Sequence, residues 1–204
     1  MFAGLFFGKG HIMAKTKTTV VELPAMDIQV MTINLVGDSP LVVHKWSDKA
    51  KKMMLDKQMQ KAEKGKKVAK DPEQDYRDSM YEHPDGGYGF PAVAFKAAAV
   101  SACSQIDGMT KVQARGAFHV VGDMVKVDGV PNMREDMVRV GMGTADIRYR
   151  GEFKKWKCKL TVRYNARSLS AERIINLFNI AGFAVGVGEY RPEKNGSWGM
   201  FSVA

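Results

Sequence analysis

The strongest constraint on the fold of this chain is a strict alternation of residue types between positions 155 and 164. Apolar side chains occupy every second position, and basic or polar side chains occupy the positions between them. The two sets are Trp156, Cys158, Leu160, Val162 and Tyr164, and Lys155, Lys157, Lys159, Thr161 and Arg163. Because successive side chains of a β-strand point to opposite faces, the pattern predicts a half-buried strand with a basic outer face.

The last thirty-five residues predict a helix followed by two short strands. Ser170 is a typical N-cap, apolar residues then recur at helical spacing, and Gly182 is a typical helix end. Extended runs are expected at residues 183–190 and 198–203. The glycine loop between them (residues 186–199) combines four glycines with Arg191, Lys194 and Trp198. Two interpretations stay open: a backbone that a bulky partner can approach closely, or a surface hairpin with turn glycines.

Composition favours a polyanionic partner and a reducing compartment. The chain of 204 residues has 31 Lys and Arg against 22 Asp and Glu, a formal net charge of +9. Its two cysteines form no C-x-x-C pair, which argues against a disulfide scaffold or a zinc site and is typical of a cytoplasmic protein. No apolar run approaches transmembrane length, so no membrane partner is expected.

The chain divides into a lead-in and one domain. Residues 1–12 have a short apolar patch without a basic start, and we interpret them as an upstream leader, followed by a mobile lead-in to residue 26. Residues 27–204 are expected to form a single domain with a basic insertion at about residues 45–87. Within it, the lysine-rich arm (residues 45–70) contains ten lysines and three acidic residues. The arm is either a solvated appendage or a segment that becomes ordered on a bound strand.

The order of predicted elements indicates an α+β fold. A strand at residues 27–36 precedes the insertion, and Pro91 introduces an alanine-rich helix. Gly122-Asp123 predicts a hairpin between two further strands, which are followed by the alternating strand, the C-terminal helix and a last strand. Without the insertion, this is the βαββαβ order of ferredoxin-like and RNA-recognition-motif folds. Helices on one face of such a sheet leave the other face open for a ligand.

Three segments of the sequence resemble one family when taken together. They are residues 33–41 (INLVGDSPL), residues 88–98 (YGFPAVAFKAA) and residues 186–199 (GVGEYRPEKNGSWG). In this order they resemble the RAMP superfamily, which includes the backbone subunits of CRISPR effector complexes, and in particular stand-alone RAMP-like proteins of bacteriophages. The resemblance covers roughly residues 27–203. It implies a nucleic-acid groove, subunits that stack along a single strand, and the bacterial host cytoplasm if the protein is phage-encoded.

The sequence therefore predicts a non-enzymatic protein that binds single-stranded RNA or DNA and forms a homo-oligomer or filament along it. Such proteins combine a cationic groove with stacking aromatic side chains. No cofactor, metal or catalytic residue is expected. The predicted binding residues are Lys45, Trp46, Lys49, Lys51, Lys52, Lys96, Arg148, Arg150, Gly186, Gly188, Arg191, Lys194 and Trp198.

Two alternatives remain open. Some members of the family cut RNA with an aspartate that follows the first strand, and Asp48 lies near that position, with His44 and Lys49 close in sequence. A metal-dependent endoribonuclease is thus one alternative, although a lone aspartate in a lysine-rich arm is usually a balancing charge. The other alternative is a viral structural or assembly protein whose arm binds an acidic partner.

Overall fold

The computed structural model describes residues 24–60, 69–141 and 143–204. The expected leader, most of the lead-in and the Lys-Gly-Lys-Lys segment of the lysine-rich arm lie outside these ranges. Within them, no helix combines the length and the apolar character needed to cross a membrane.

The described ranges form nine strands and five α-helices. The strands are β1 (Ile28–Gly37), β2 (Leu41–Val43), β3 (Tyr88–Pro91), β4 (Phe118–Val120), β5 (Met124–Asp128), β6 (Pro131–Val140), β7 (Thr144–Phe153), β8 (Lys157–Asn165) and β9 (Phe201–Val203). The helices are α1 (Asp48–Gln58), α2 (Pro72–Asp78), α3 (Ala92–Ala102), α4 (Lys111–Ala117) and α5 (Ala171–Ala184).

The main sheet has the strand order β3-β5-β8-β1-β9, and β4 pairs with β8 as well. Its centre is the antiparallel pair of β1 and β8, which runs from Ile28 opposite Asn165 to Val36 opposite Lys157. Helices α3 and α5 contact each other on one face of the sheet. The chain order β1, α3, β4–β5, β8, α5, β9 is the ferredoxin-like βαββαβ arrangement, so the predicted α+β class is confirmed.

A second sheet has the strand order β2-β7-β6. Two of its strands form a long ribbon, which is inserted in the sequence between β5 and β8. The ribbon consists of β6 and β7, which pair from Pro131 opposite Phe153 to Val140 opposite Thr144. Helix α2 packs against β7. Strand β7 and helix α4 are not predicted from the sequence, although α4 begins with a capping box in which the side chains of Thr110 and Gln113 accept hydrogen bonds from each other's backbone N–H groups.

Aromatic side chains fill the core between the main sheet and its helices. Phe95 of α3 is fully buried, and its ring centroid lies 6.0 Å from those of Phe90 and Phe201. Trp156 is also buried, and its indole N–H donates to the Ser39 carbonyl at 2.9 Å. A Cβ at Gly37 would lie 2.1 Å from the indole nitrogen, so only glycine allows β1 to end beside this tryptophan.

Gly182 does not end the C-terminal helix as predicted, because α5 continues to Ala184. A Cβ at position 182 would lie 1.7 Å from the Phe201 carbonyl oxygen, so the glycine allows close packing of β9 on the helix. The predicted strand at residues 183–190 is also wrong, since helix and loop occupy these positions.

The predicted hairpin at Gly122-Asp123 is replaced by a different pairing. Strands β4 and β5 do not pair with each other but follow one another along the same side of β8. Val120 lies opposite Val162, and Val127 lies opposite Cys158. The two short strands together therefore fill one strand position of the ferredoxin-like core.

Replacing Phe95 with alanine should reduce the free energy of unfolding by about 3–5 kcal/mol, because a fully buried ring leaves a cavity between sheet and helix. Val93→Ala is the matched control, since Val93 lies on the same helix and is 69% exposed. Its effect should stay within about 0.5 kcal/mol. Urea unfolding followed by circular dichroism measures both values, and equal effects would contradict the described orientation of α3.

Candidate nucleic-acid interface

The glycine loop is held by backbone hydrogen bonds to β2 and to the residue that precedes it. The Glu189 N–H donates to the Val42 carbonyl at 2.9 Å, and the Gly199 N–H donates to the Pro40 carbonyl at 2.7 Å. A bond of 2.9 Å from the Val187 N–H to the Gly199 carbonyl closes the loop on itself. These bonds hold the loop at the junction of the two sheets.

The glycines of this loop are needed by the packing of the chain itself. Gly188 has φ +80°, and a Cβ there would lie 2.5 Å from the Val42 carbonyl oxygen. At Gly186, with φ +66°, a Cβ would lie 2.7 Å from Cδ of Pro192. The side of the backbone that glycine leaves open is therefore occupied by other atoms of this protein at both positions. A substitution such as Gly188→Val would disturb packing as well as any binding.

Arginines of the ribbon are paired with carboxylates. Arg134 lies 2.9 Å from Asp136 and 2.7 Å from Glu152. Arg150, which is only 6% exposed, lies 3.3 Å from Asp136 and donates to the Tyr190 hydroxyl at 2.8 Å. Because the Arg150 guanidinium is buried and bonded, it holds the ribbon on the glycine loop and is not presented to solvent.

Trp198 is likewise engaged inside the protein. The Arg134 guanidinium lies 3.9 Å from the centroid of the Trp198 ring system, a cation–π distance. Tyr190 packs edge-on against the same side chain with centroids 4.9 Å apart. One face of the indole is thus already covered by a cation, and the half-buried Trp198 belongs to the contact between ribbon and glycine loop.

The other predicted arginines also have acidic partners. Arg148 lies 2.8 Å from Asp146, and the Lys70 ammonium bonds the same carboxylate. The bond from Lys70 holds the pKa of Asp146 below its usual value. Arg191 lies 2.8 Å from Glu193, and its bond lowers the pKa of that carboxyl. Lys194, by contrast, is exposed.

The predicted residues of the lysine-rich arm form a separate exposed surface. Trp46 is 54% exposed at the root of α1, and the Lys51 ammonium lies 5.9 Å from its ring centroid. Lys52 is exposed and Lys45 is half-buried, whereas the side chain of Lys49 lies outside the described part.

Asp48, the residue of the endoribonuclease alternative, lies at the first position of α1. Lys51 donates to its carboxylate at 2.9 Å, and this bond lowers the pKa of Asp48. His44 is instead near the glycine loop, 3.9 Å from Glu189, where burial and Arg150 lower its pKa. Among the residues that the structure describes, no three His, Cys, Asp or Glu side chains lie close enough together to hold a metal ion.

Lys96 lies apart from both of these surfaces. Its ammonium is 2.9 Å from Nδ1 of His119 on β4, at the edge of the main sheet. It does not line the groove between α3 and the glycine loop, whose α3 wall is formed by Ala94, Ala97, Ala98 and Ser101. His119 itself is exposed.

A further basic surface, absent from the predicted set of binding residues, lies on the open face of the main sheet, which is the face opposite α3 and α5. Lys157, Lys159 and Arg163 are exposed along the central strand β8, and Lys126 is exposed on β5. The strand rises about 3.4 Å per residue, so the β8 cations extend over roughly 20 Å. None of these four side chains takes part in the ion pairs of the described ranges.

The structure thus distributes the predicted residues over three places. The ribbon and the glycine loop carry Arg148, Arg150, Gly186, Gly188, Arg191, Lys194 and Trp198. The arm residues lie on α1 or just before it, and Lys96 lies beside β4. The alternation at residues 155–164 was the signal that could have identified the open face, because it places every basic side chain of β8 on one side.

Comparisons with known proteins give a distant similarity of fold. No family model and no curated protein matches this sequence. Among solved structures, the chain is similar to Cmr6 from Pyrococcus furiosus, with a TM-score of 0.47 and 10% sequence identity. The match covers 88% of this chain and 100% of Cmr6. It concerns the course of the backbone, and the predicted relation to stand-alone bacteriophage proteins stays a prediction.

Gly199→Ala should destabilise the protein more than Gly108→Ala does. Both glycines have positive φ, +66° and +81°, so both alanines are strained by about 1–2 kcal/mol. A Cβ at position 199 would in addition lie 1.7 Å from the Val187 carbonyl oxygen, whereas one at position 108 meets nothing within 4 Å. Overpacking adds typically about 1–3 kcal/mol at position 199. Equal urea midpoints for the two variants would show that the glycine loop is not held as described.

Proposed function

We propose that this chain binds single-stranded nucleic acid without cutting it, and that the strand lies across the open face of the main sheet. The observation that carries the proposal is the row of exposed cations on β8 and β5, none of which is in an ion pair of the described ranges, although Asp128 of β5 lies opposite Lys157. Lys126, Lys157, Lys159 and Arg163 are exposed there, on a face that no helix of the described ranges covers. Proteins bind single strands without sequence preference through positively charged surfaces of this kind.

The distribution of charge supports this location. On the ribbon and the glycine loop, arginines alternate with carboxylates, so that region adds little to the net charge of +9. Cations without acidic partners neutralise phosphates without first breaking an ion pair, and each contact releases counterions from the strand. The open face therefore offers more favourable phosphate contacts than Arg148 or Arg150 does.

The shape of the surface favours a single strand over a duplex. Five neighbouring strands at a spacing of about 4.8 Å form a surface about 20 Å wide, which exceeds the major groove of about 12 Å. Val30, Thr32 and Asn34 of β1 are exposed beside the β8 cations and can contact bases. Since these positions lack aromatic rings, we expect phosphate contacts to supply most of the affinity.

The lysine-rich arm supplies a second contact in this proposal. Trp46 is exposed enough to stack on a base, and Lys52 lies on helix α1, which begins two residues after Trp46. We further propose that copies of the chain assemble side by side along one strand, as the resemblance to CRISPR backbone subunits implies. A molar mass of the complex, measured by light scattering, that grows in proportion to the length of the nucleic-acid strand would support this assembly. A constant molar mass would contradict it.

The test is the salt dependence of binding. Fluorescence anisotropy with RNA and DNA strands of about 12 nucleotides gives the affinity at several salt concentrations between about 50 and 200 mM. In the triple variant Lys157→Gln/Lys159→Gln/Arg163→Gln, the log–log slope should become less steep by about 2, because each lost phosphate contact contributes about 0.7 on single strands.

The matched control is Arg77→Gln/Lys111→Gln/Arg173→Gln, which removes the same charge from exposed helical positions. It should leave the log–log slope nearly unchanged. An equal decrease of the slope in both triple variants would contradict the assignment of the binding site to the open face. Shortening of the RNA in the presence of Mg²⁺ would favour the Asp48 endoribonuclease. Absence of binding would favour the structural or assembly protein.

A further inference from the structure

We propose that the edge of the main sheet at β4 binds a phosphomonoester, the terminal phosphate of a nucleic-acid strand, through His119 and Arg163, with Lys96 holding the His119 ring in place. The inference rests on the proposed function, because it gives the strand on the open face a defined end. It concerns a part of the fold separate from the glycine loop and from the lysine-rich arm.

The contact between Lys96 and His119 orients a hydrogen-bond donor. An ammonium group has no lone pair, so Lys96 donates to Nδ1 of the imidazole across 2.9 Å. The imidazole proton is then on Nε2, on the side of the ring away from Lys96. An anion that accepts from Nε2–H therefore meets a donor whose tautomer and orientation Lys96 has already set.

Arg163 lies beside His119 on the open face, so Lys96, His119 and Arg163 form one cluster at this edge of the sheet. In the pairing of β4 with β8, His119 lies directly opposite Arg163, and side chains in such positions have Cβ atoms about 4.5–5.5 Å apart. Both residues line a cavity of about 410 Å³, together with Asn165 and the apolar side chains of Met26 and Ile28. This volume is within the range of small-ligand sites and can accept a terminal nucleoside beside its phosphate.

The cluster lacks the acidic partners that other cations of this protein have. Arg134, Arg150 and Arg191 each lie within 3.3 Å of a carboxylate. Within the described ranges, no ion pair includes Lys96 or Arg163. Burial and the nearby Arg115 lower the pKa of Lys96, so cations are held together here at a cost in free energy. A bound anion offsets that cost.

The charge of the ligand distinguishes a strand end from its interior. A phosphomonoester carries about −1.5 to −2 charges at neutral pH, whereas an internal phosphodiester carries one. The cluster also lies at the end of the row of β8 cations, since Arg163 is two residues from the end of that strand at Asn165. A nucleic-acid strand that lies along the β8 cations from Lys157 therefore reaches the cluster with its terminus. The 5′ and 3′ phosphates share this chemistry, and the experiment distinguishes them.

The experiment compares three strands of one sequence: one with a 5′ phosphate, one with a 3′ phosphate and one with hydroxyls at both ends. Anisotropy competition at constant salt should show one phosphorylated strand binding on the order of tenfold more tightly than the hydroxyl strand. Lys96→Met should remove this preference, because the ammonium that fixes the tautomer and orientation of His119 is lost. Far-ultraviolet circular dichroism and thermal unfolding check that the variant remains folded.

Lys157→Met is the matched control, since it removes the same charge at the other end of the row. It should weaken the binding of all three strands and leave their ratio unchanged. Equal affinities of the wild-type protein for the three strands would overturn the inference while leaving the proposed function intact. A preference that survives both Lys96→Met and His119→Gln would overturn it as well. If no strand binds, the proposed function fails, and the terminal site fails with it.

Discussion

The antiparallel pairing of β1 with β8 determines which side chains enter the core and which reach the open face. Leu160 of β8 lies opposite Ile33 of β1, and both are buried between the sheet and its helices. A shift of the register by one residue would move Lys159 to the core side and Leu160 to solvent. Burying an unpaired ammonium costs several kcal/mol, so the alternation of apolar and basic residues in β8 fixes this register strongly. The row of exposed cations is therefore a direct consequence of how the sheet is held together.

Most cations with carboxylate partners lie on the ribbon and the glycine loop, whereas those of the open face are in no ion pair of the described ranges. Arg150 is buried between the ribbon and the glycine loop, and it needs Asp136 and Tyr190 because a buried guanidinium without partners is strongly destabilising. The cations of the open face remain hydrated and require no partner for folding. This separation explains how a chain with many basic residues folds stably and still presents one cationic surface. It also implies that ribbon arginines act mainly on stability, whereas β8 lysines act mainly on binding.

Features that depend on local sequence could be predicted, and features that depend on distant contacts could not. The alternation that produces β8, the Ser170 N-cap of α5 and the βαββαβ order are all readable along the chain. Arg150 and Tyr190 are separated by 40 residues, and only the docking of the ribbon on the glycine loop brings them together. A paired arginine and a free arginine look alike in sequence, so the predicted binding residues included several whose charge is already balanced. Gly182 was interpreted as a helix end for a similar reason, since its close contact with the Phe201 carbonyl is long-range.

The most direct test of the account is lysine footprinting of the complex. The protein is treated with an amine-acetylating reagent, alone and saturated with a single strand of about 12 nucleotides, and each modified lysine is quantified by mass spectrometry. Lys157 and Lys159 should become protected in the complex, while Lys111, exposed on α4, should react equally in both states. Unchanged reactivity of Lys157 and Lys159 in a saturated complex would contradict the central claim that the strand lies on the open face of the main sheet.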